Sequence, residues 1–199
     1  MKKGFWLIAP FATWMALMAA LPATATAYAV RTAAAALLLL CACCFKGPRS
    51  SFLTSGRESA SPLLGGILVG LAVFAIWILP EQFDIPLYRR FCILGEGGTQ
   101  AVAEAGAAMI AVRLVGSAFV ISVAEELFFR KWLIGFAGFW PMVALFAVEH
   151  DRWLVGAIAG VAYGRLYLRR GLGAAIVAHV TTNLALGLWV IRSGQWQFW

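Results

Sequence analysis

The stretch from Pro62 to Leu79, PLLGGILVGLAVFAIWIL, contains no charged side chain and no polar one. A run of this length belongs in the hydrocarbon of a bilayer, which an α-helix crosses in about 20 residues. Comparable apolar runs recur along the chain, and none shows the strict alternation of a barrel strand. Helices rather than a barrel therefore satisfy the backbone inside lipid. Composition agrees: of 199 residues, 62% are hydrophobic and 13% charged, with a mean hydropathy of +0.84. A soluble domain is nearer half apolar and about a quarter charged. The expectation is an all-α fold, a polytopic transmembrane bundle of about seven membrane helices. The net charge of +7 sits mostly in short loops between apolar runs, the arrangement that orients a membrane protein. It does not call for nucleic acid. The partner it implies is the lipid bilayer.

The expected spans are Phe5–Leu21, Tyr28–Phe45, Pro62–Leu79, Ala107 to about Ile134, Pro141–His150, Trp153–Leu168 and Leu172–Ile191. Turn signals separate the later ones, GFAGFWP at 135–141 and RRG at 169–171. Residues 1–199 read as one integral membrane domain. Residues 1–105 form the amino-terminal helices and an outer loop, and 106–191 the catalytic core helices. The segment 81–106 mixes charge, glycine and short apolar pieces, which fits a loop with an interfacial helix. The first run, with Lys2, Lys3 and Ala-Thr-Ala at 25–27, has the outline of a signal peptide. Its length favours a retained helix. Counting Lys and Arg puts Lys2/Lys3, Lys46/Arg49/Arg57, Arg130/Lys131 and Arg169/Arg170 on the cytoplasmic side of an inner (plasma) membrane. Arg31, Arg89/Arg90, Arg152 and Arg192 fall on the other. Cys41, Cys43, Cys44 and Cys92 form no CxxC pair and read as reduced core residues. The tryptophans, including Trp189, Trp196 and Trp199, read as interface anchors.

Against this background SVAEELFFRKW at 122–132 stands out, because charges at bilayer depth persist only when paired, wet or functional. Glu126 and Arg130 are spaced i,i+4 and can pair on one face, while Glu125 is turned about 100° away. The chain has only two histidines, His150 and His179. Counted from Gly138, Glu125 and His150 both lie about 18–20 Å deep; counted from Gly171, His179 and Asn183 lie about 12–18 Å deep. Phe146 shares a face with His150, and His179 with Asn183, at i,i+4. Polar groups from three helices thus meet at one depth. A desolvated carboxylate beside histidine suits taking a proton from water, and amide or imidazole N–H groups suit an oxyanion. Glu149 adjoins His150 but is expected to point away towards Asp151 and Arg152, as a solvated charge at the helix end.

These residues resemble the CAAX-protease and bacteriocin-processing (CPBP, or Abi) family of glutamic-type intramembrane proteases, which carries EExxxR, FxxxH and HxxxN/D on separate helices. Here the motifs read EELFFR at 125–130, FAVEH at 146–150 and HVTTN at 179–183. The resemblance implies that Glu125 is the general base and that Glu126 is its structural neighbour, paired with Arg130. It implies that His150 helps bind the water, that His179 and Asn183 stabilise the oxyanion, and that Phe146 supports the site. It implies no cofactor and no metal, and a membrane-anchored protein or peptide as substrate. IWILPEQ at 76–82 also looks like members associated with sorting systems for carboxyl-terminal tags. Two other readings stay open on the residues alone. Glu125, His150 and His179 form a possible His₂Glu zinc set, although HExxH spacing is absent. A non-catalytic membrane scaffold, an immunity protein or a proton-coupled transporter could also keep such charges.

Overall fold

The computed structural model describes residues 4–46, 62–94 and 106–198. Among these residues the regular structure is helical throughout: α1 (Phe5–Ala20), α2 (Ala25–Lys46), α3 (Pro62–Gln82), α4 (Pro86–Cys92), α5 (Ala107–Ala137), α6 (Phe139–Val148), α7 (Trp153–Arg170) and α8 (Leu172–Ser193), then a single 3-10 turn at Trp196–Phe198. All seven expected spans appear as helices, with ends shifted by a few residues. By length and composition, α2, α3, α5 and α8 can cross a membrane on their own, while α1 and α6 are shorter apolar helices. The chain is an all-α membrane bundle. The expected features at Lys2, Lys3, Arg49, Arg57 and Trp199 lie outside the described residues.

Helix ends follow local chemistry. Gly138 and Gly171, with φ of 95° and 85°, separate α5 from α6 and α7 from α8. That backbone region is cheap only for glycine. The short α4 buries Tyr88 and Cys92 and leaves Leu87 and Phe91 exposed, the one-sided pattern of a helix lying in the interface. It holds the turn between α6 and α7: the Trp153 indole N–H donates to the Phe91 carbonyl at 2.8 Å, and the Leu94 N–H to the Asp151 carbonyl at 2.7 Å. Arg152 is buried there in an ion pair with Glu81.

Close packing depends on small residues, since lipid supplies no hydrophobic drive between helices. On α3, Gly66 and Gly70 face α8. A Cβ at Gly66 would lie 2.9 Å from the Ala174 carbonyl oxygen, and one at Gly70 would run into that of Ala178. On α7, Gly156, Gly160 and Gly164 repeat at i,i+4 and take α6 against them. A Cβ at Gly164 would sit 2.7 Å from the Phe139 ring, and one at Gly160 would sit 3.3 Å from Phe146. α8 touches α3, α5 and α7 and is the helix around which the bundle closes. α1 belongs to the same core, with Phe11 buried against Phe128 and Phe129 at 4.8 and 5.2 Å between ring centres.

Charges that counted as loop markers in the sequence do not all sit in loops. Arg130, Arg31 and Arg152 are buried, so they carry no information about orientation. If backbone contact between α3 and α8 sets the packing, Gly70→Ala should cost about 1–3 kcal/mol through overpacking. Gly173→Ala is the control, because nothing lies within 4 Å of its Cβ position. Thermal unfolding in detergent should show a lower midpoint for the first variant and not the second.

Candidate active site

The site is built on an irregular stretch of α5. Gly116–Ile121 and Glu126–Leu133 are π-helical, and only Ser122–Glu125 between them is α-helical. π turns leave a backbone register that costs stability and recurs at functional sites. Here they flank the two adjacent glutamates. Ser122 sits within hydrogen-bond reach of the Ser117 carbonyl, 3.0 Å away, five residues back as the wider turn allows.

The Glu126–Arg130 pair expected from sequence forms, with Oε1 to Nη1 at 3.2 Å and neither side chain exposed at all. The guanidinium N–H groups make no aligned hydrogen bond. The pair is therefore held by charge, and aromatic faces do the rest. The Arg130 Cζ lies 4.1 Å from the centre of the Phe146 ring, 5.4 Å from Tyr163 and 5.8 Å from Phe129. A desolvated cation on such a face gains about 2 kcal/mol. Phe146 is thus the platform for Arg130. It also packs on His150, 4.7 Å between ring centres, and on His179 at 5.9 Å.

His179 sits between the two carboxylates. Its Nδ1 is 2.8 Å from Glu126 Oε1, and its Nε2 is 3.7 Å from Glu125 Oε2. Glu126 is paired with Arg130 and so acts as an acceptor. Nδ1 must then carry the proton, which turns the Nε2 edge of the ring towards Glu125. The ring is stacked on Tyr163 at 5.0 Å, whose hydroxyl donates to Thr182 at 2.6 Å, and the Thr182 hydroxyl reaches the Gly70 carbonyl at 2.9 Å. His150 follows the same logic. Its Nδ1 is 2.8 Å from the Phe146 carbonyl, an acceptor only, so Nε2 is left as a lone pair. The Trp77 ring braces His150 from the edge at 5.3 Å.

Glu125, His150, His179 and Asn183 all line one cavity of about 240 Å³, together with Tyr163 and Phe146. Glu125 Oε2 has no hydrogen-bond partner in the protein, as befits an oxygen meant for a bound molecule. One expectation needs correction. Glu149 is not a solvated charge: one carboxylate oxygen is buried without a partner, and the group lies within electrostatic reach of Glu125. The turn at the end of α6 brings it inward, which a simple 100° count does not capture. Asn183 gives its amide N–H groups to the Ser117 carbonyl at 3.1 Å and the Ser122 hydroxyl at 3.0 Å, so they are engaged within the protein. Tyr163, Ser122 and Trp77 escaped the sequence reading. Ser122 directly precedes VAEE, and Tyr163 lies one residue before a glycine of the α7 repeat, but neither carries a motif. Trp14 and Trp77 line the cavity and are not surface anchors. Among the described residues no group of three or more His, Cys, Asp or Glu side chains is placed to hold a metal ion.

The fold and these side chains define a membrane helical bundle with a buried acid–imidazole centre. Residues 107–185 match the family described as type II CAAX prenyl endopeptidase Rce1-like, which supports the CAAX-protease resemblance carried by the three motifs. It is a family of proteases. No curated protein and no solved structure matches the chain.

Removing Arg130 would leave a carboxylate buried and unpaired, at a cost of about 3–5 kcal/mol. Arg130→Ala is expected to lower folded yield on size exclusion. The double variant Glu126→Gln/Arg130→Met, which buries no charge, should recover most of it. Equal yields for wild type and Arg130→Ala would show that the pair holds nothing.

Proposed function

We propose that this protein is a multi-pass intramembrane endopeptidase of the inner (plasma) membrane. It hydrolyses a peptide bond near the bilayer with water activated by Glu125, and it processes the carboxyl-terminal region of a membrane-anchored or exported protein. The observation that carries the reading is a single imidazole, His179, held between two adjacent carboxylates at the wall of a cavity.

The chemistry follows from which atoms are free. Glu125 takes one proton from water as the water oxygen bonds to the peptide carbonyl carbon. His150 Nε2 accepts a hydrogen bond from the other proton and so positions the water. The electron pair displaced onto the carbonyl oxygen needs a donor. His179 supplies it through Nε2 when the ring carries its second proton. Asn183 joins where the substrate takes over an N–H now given to Ser117 or Ser122. When the intermediate collapses, the C–N bond breaks and the amine leaves with the proton that Glu125 had taken. Glu126 and Arg130 touch no reacting atom in this scheme; they hold His179.

Glu125→Gln keeps the shape and removes the base, so cleavage should fall by about 10²–10⁴-fold in reconstituted vesicles. Chelators should leave the wild-type rate unchanged. Stoichiometric zinc, lost together with activity on chelation, would establish the metal-dependent alternative instead.

A further inference from the structure

The end of the cavity beside His150 is closed by a segment that the reaction does not use. Helix α8 stops at Ser193, and Gly194, with φ of 70°, turns the chain back. The 3-10 turn Trp196–Phe198 then lays Phe198 into the bundle, 4% exposed, against Ile78 of α3 and Leu186 and Val190 of α8. Phe198 lines the cavity together with Trp77, His150 and Leu186. The Arg152 Cζ lies 4.8 Å from the centre of its ring, and Glu81 holds that guanidinium in place.

The turn is built to move as one piece. Its backbone hydrogen bonds close within it, from the Trp196 N–H to the Gly194 carbonyl at 3.0 Å and from the Phe198 N–H to the Gln195 carbonyl at 3.3 Å. Gln195 meets Gln82 of α3 in an exposed hydrogen bond of 2.6 Å, where water competes for both partners. A Cβ at Gly194 would meet nothing within 4 Å, so the pivot has open space around it. Rings hold the turn down: Phe198 lies inside, and Trp196 is partly buried beside it.

We propose that Gly194–Phe198 is a gate. It pivots at Gly194, lifts Phe198 from between α3 and α8, and opens the His150 end of the cavity to the aqueous interface, where Ser193, Gly194 and Gln197 are already exposed. On the hydrolase reading, what it admits is the water and the peptide on which Glu125 acts. The gating itself does not depend on that reading.

The test therefore reads access to the cavity without turnover. In a background with the four cysteines changed to alanine, Leu186→Cys puts one thiol on the cavity wall, packed against Phe198. The full chain is placed in phosphatidylcholine nanodiscs, which leave both faces open to a charged methanethiosulfonate reagent. Labelling then follows the open population. Phe198→Ala removes the buried ring and should speed labelling about tenfold to a hundredfold. It also leaves a hole, so a second variant separates motion from a gap. Gly194→Ala keeps the wall and strains the closed pivot, because a side chain is disfavoured at positive φ; it should speed labelling about fivefold. A thiol at Met142→Cys, fully buried and away from the turn, should react no faster in either variant. Wild type labelled as fast as Phe198→Ala, or Gly194→Ala labelled no faster than wild type, overturns the gate. So does an equal gain at Met142→Cys, which would report general loosening of the bundle. If no variant cuts peptide, the hydrolase reading fails and the labelling result still decides the gate.

Discussion

Everything near the site depends on the buried charge of Arg130. A guanidinium without exposure inside a membrane bundle is tolerable only if its charge is answered on several sides. Glu126 answers it with a carboxylate, and Phe146, Tyr163 and Phe129 answer it with ring faces. Each of these partners has a second contact. Glu126 takes the proton side of His179, Tyr163 stacks on the same imidazole, and Phe146 packs on both histidines. The ion pair therefore fixes the orientation of His179 as well as the packing of α5, α6 and α7. Such a pair is weak evidence for stability by itself. What it contributes is a defined geometry, with Glu125 left facing the cavity.

Glycine makes that geometry reachable. Gly66 and Gly70 let α3 approach the backbone of α8, and the Thr182 hydroxyl then spans to the Gly70 carbonyl. On α7, Gly156 makes room for the Ala147 backbone, Gly160 for the ring of Phe146 and Gly164 for that of Phe139. In lipid such close approach stands in for the hydrophobic effect that assembles a soluble core. The π turns of α5 complete the arrangement by presenting Glu125 and Glu126 to opposite nitrogens of one ring.

Much of this was legible in the sequence, and the exceptions have physical causes. Apolar runs and the glycine turns at 138 and 171 located the helices, because both signals are local. The i,i+4 spacing of Glu126 and Arg130 located the ion pair for the same reason. The counts from Gly138 and Gly171 brought Glu125, His150, His179 and Asn183 to one depth, and the structure sets them around one cavity. What the count missed depends on departures from ideal helices or on neighbours distant in sequence. Glu149 turns inward because α6 ends before it. The donors of Asn183 are taken by Ser117 and Ser122, which the π turn brings within reach. Tyr163 matters through partners on other helices, and no local pattern announces it.

Glu126, neutralised by Arg130, holds His179 by its Nδ1 proton and leaves Nε2 towards Glu125. Solid-state ¹⁵N NMR of histidine-labelled protein in bilayers measures this directly, since the chain has only two imidazoles and His150→Gln leaves one. The expected spectrum shows a proton on His179 Nδ1, shifted as for a hydrogen bond to carboxylate, and a changed shift in Glu126→Gln. A ring protonated at Nε2 with a bare Nδ1, insensitive to Glu126→Gln, would contradict it.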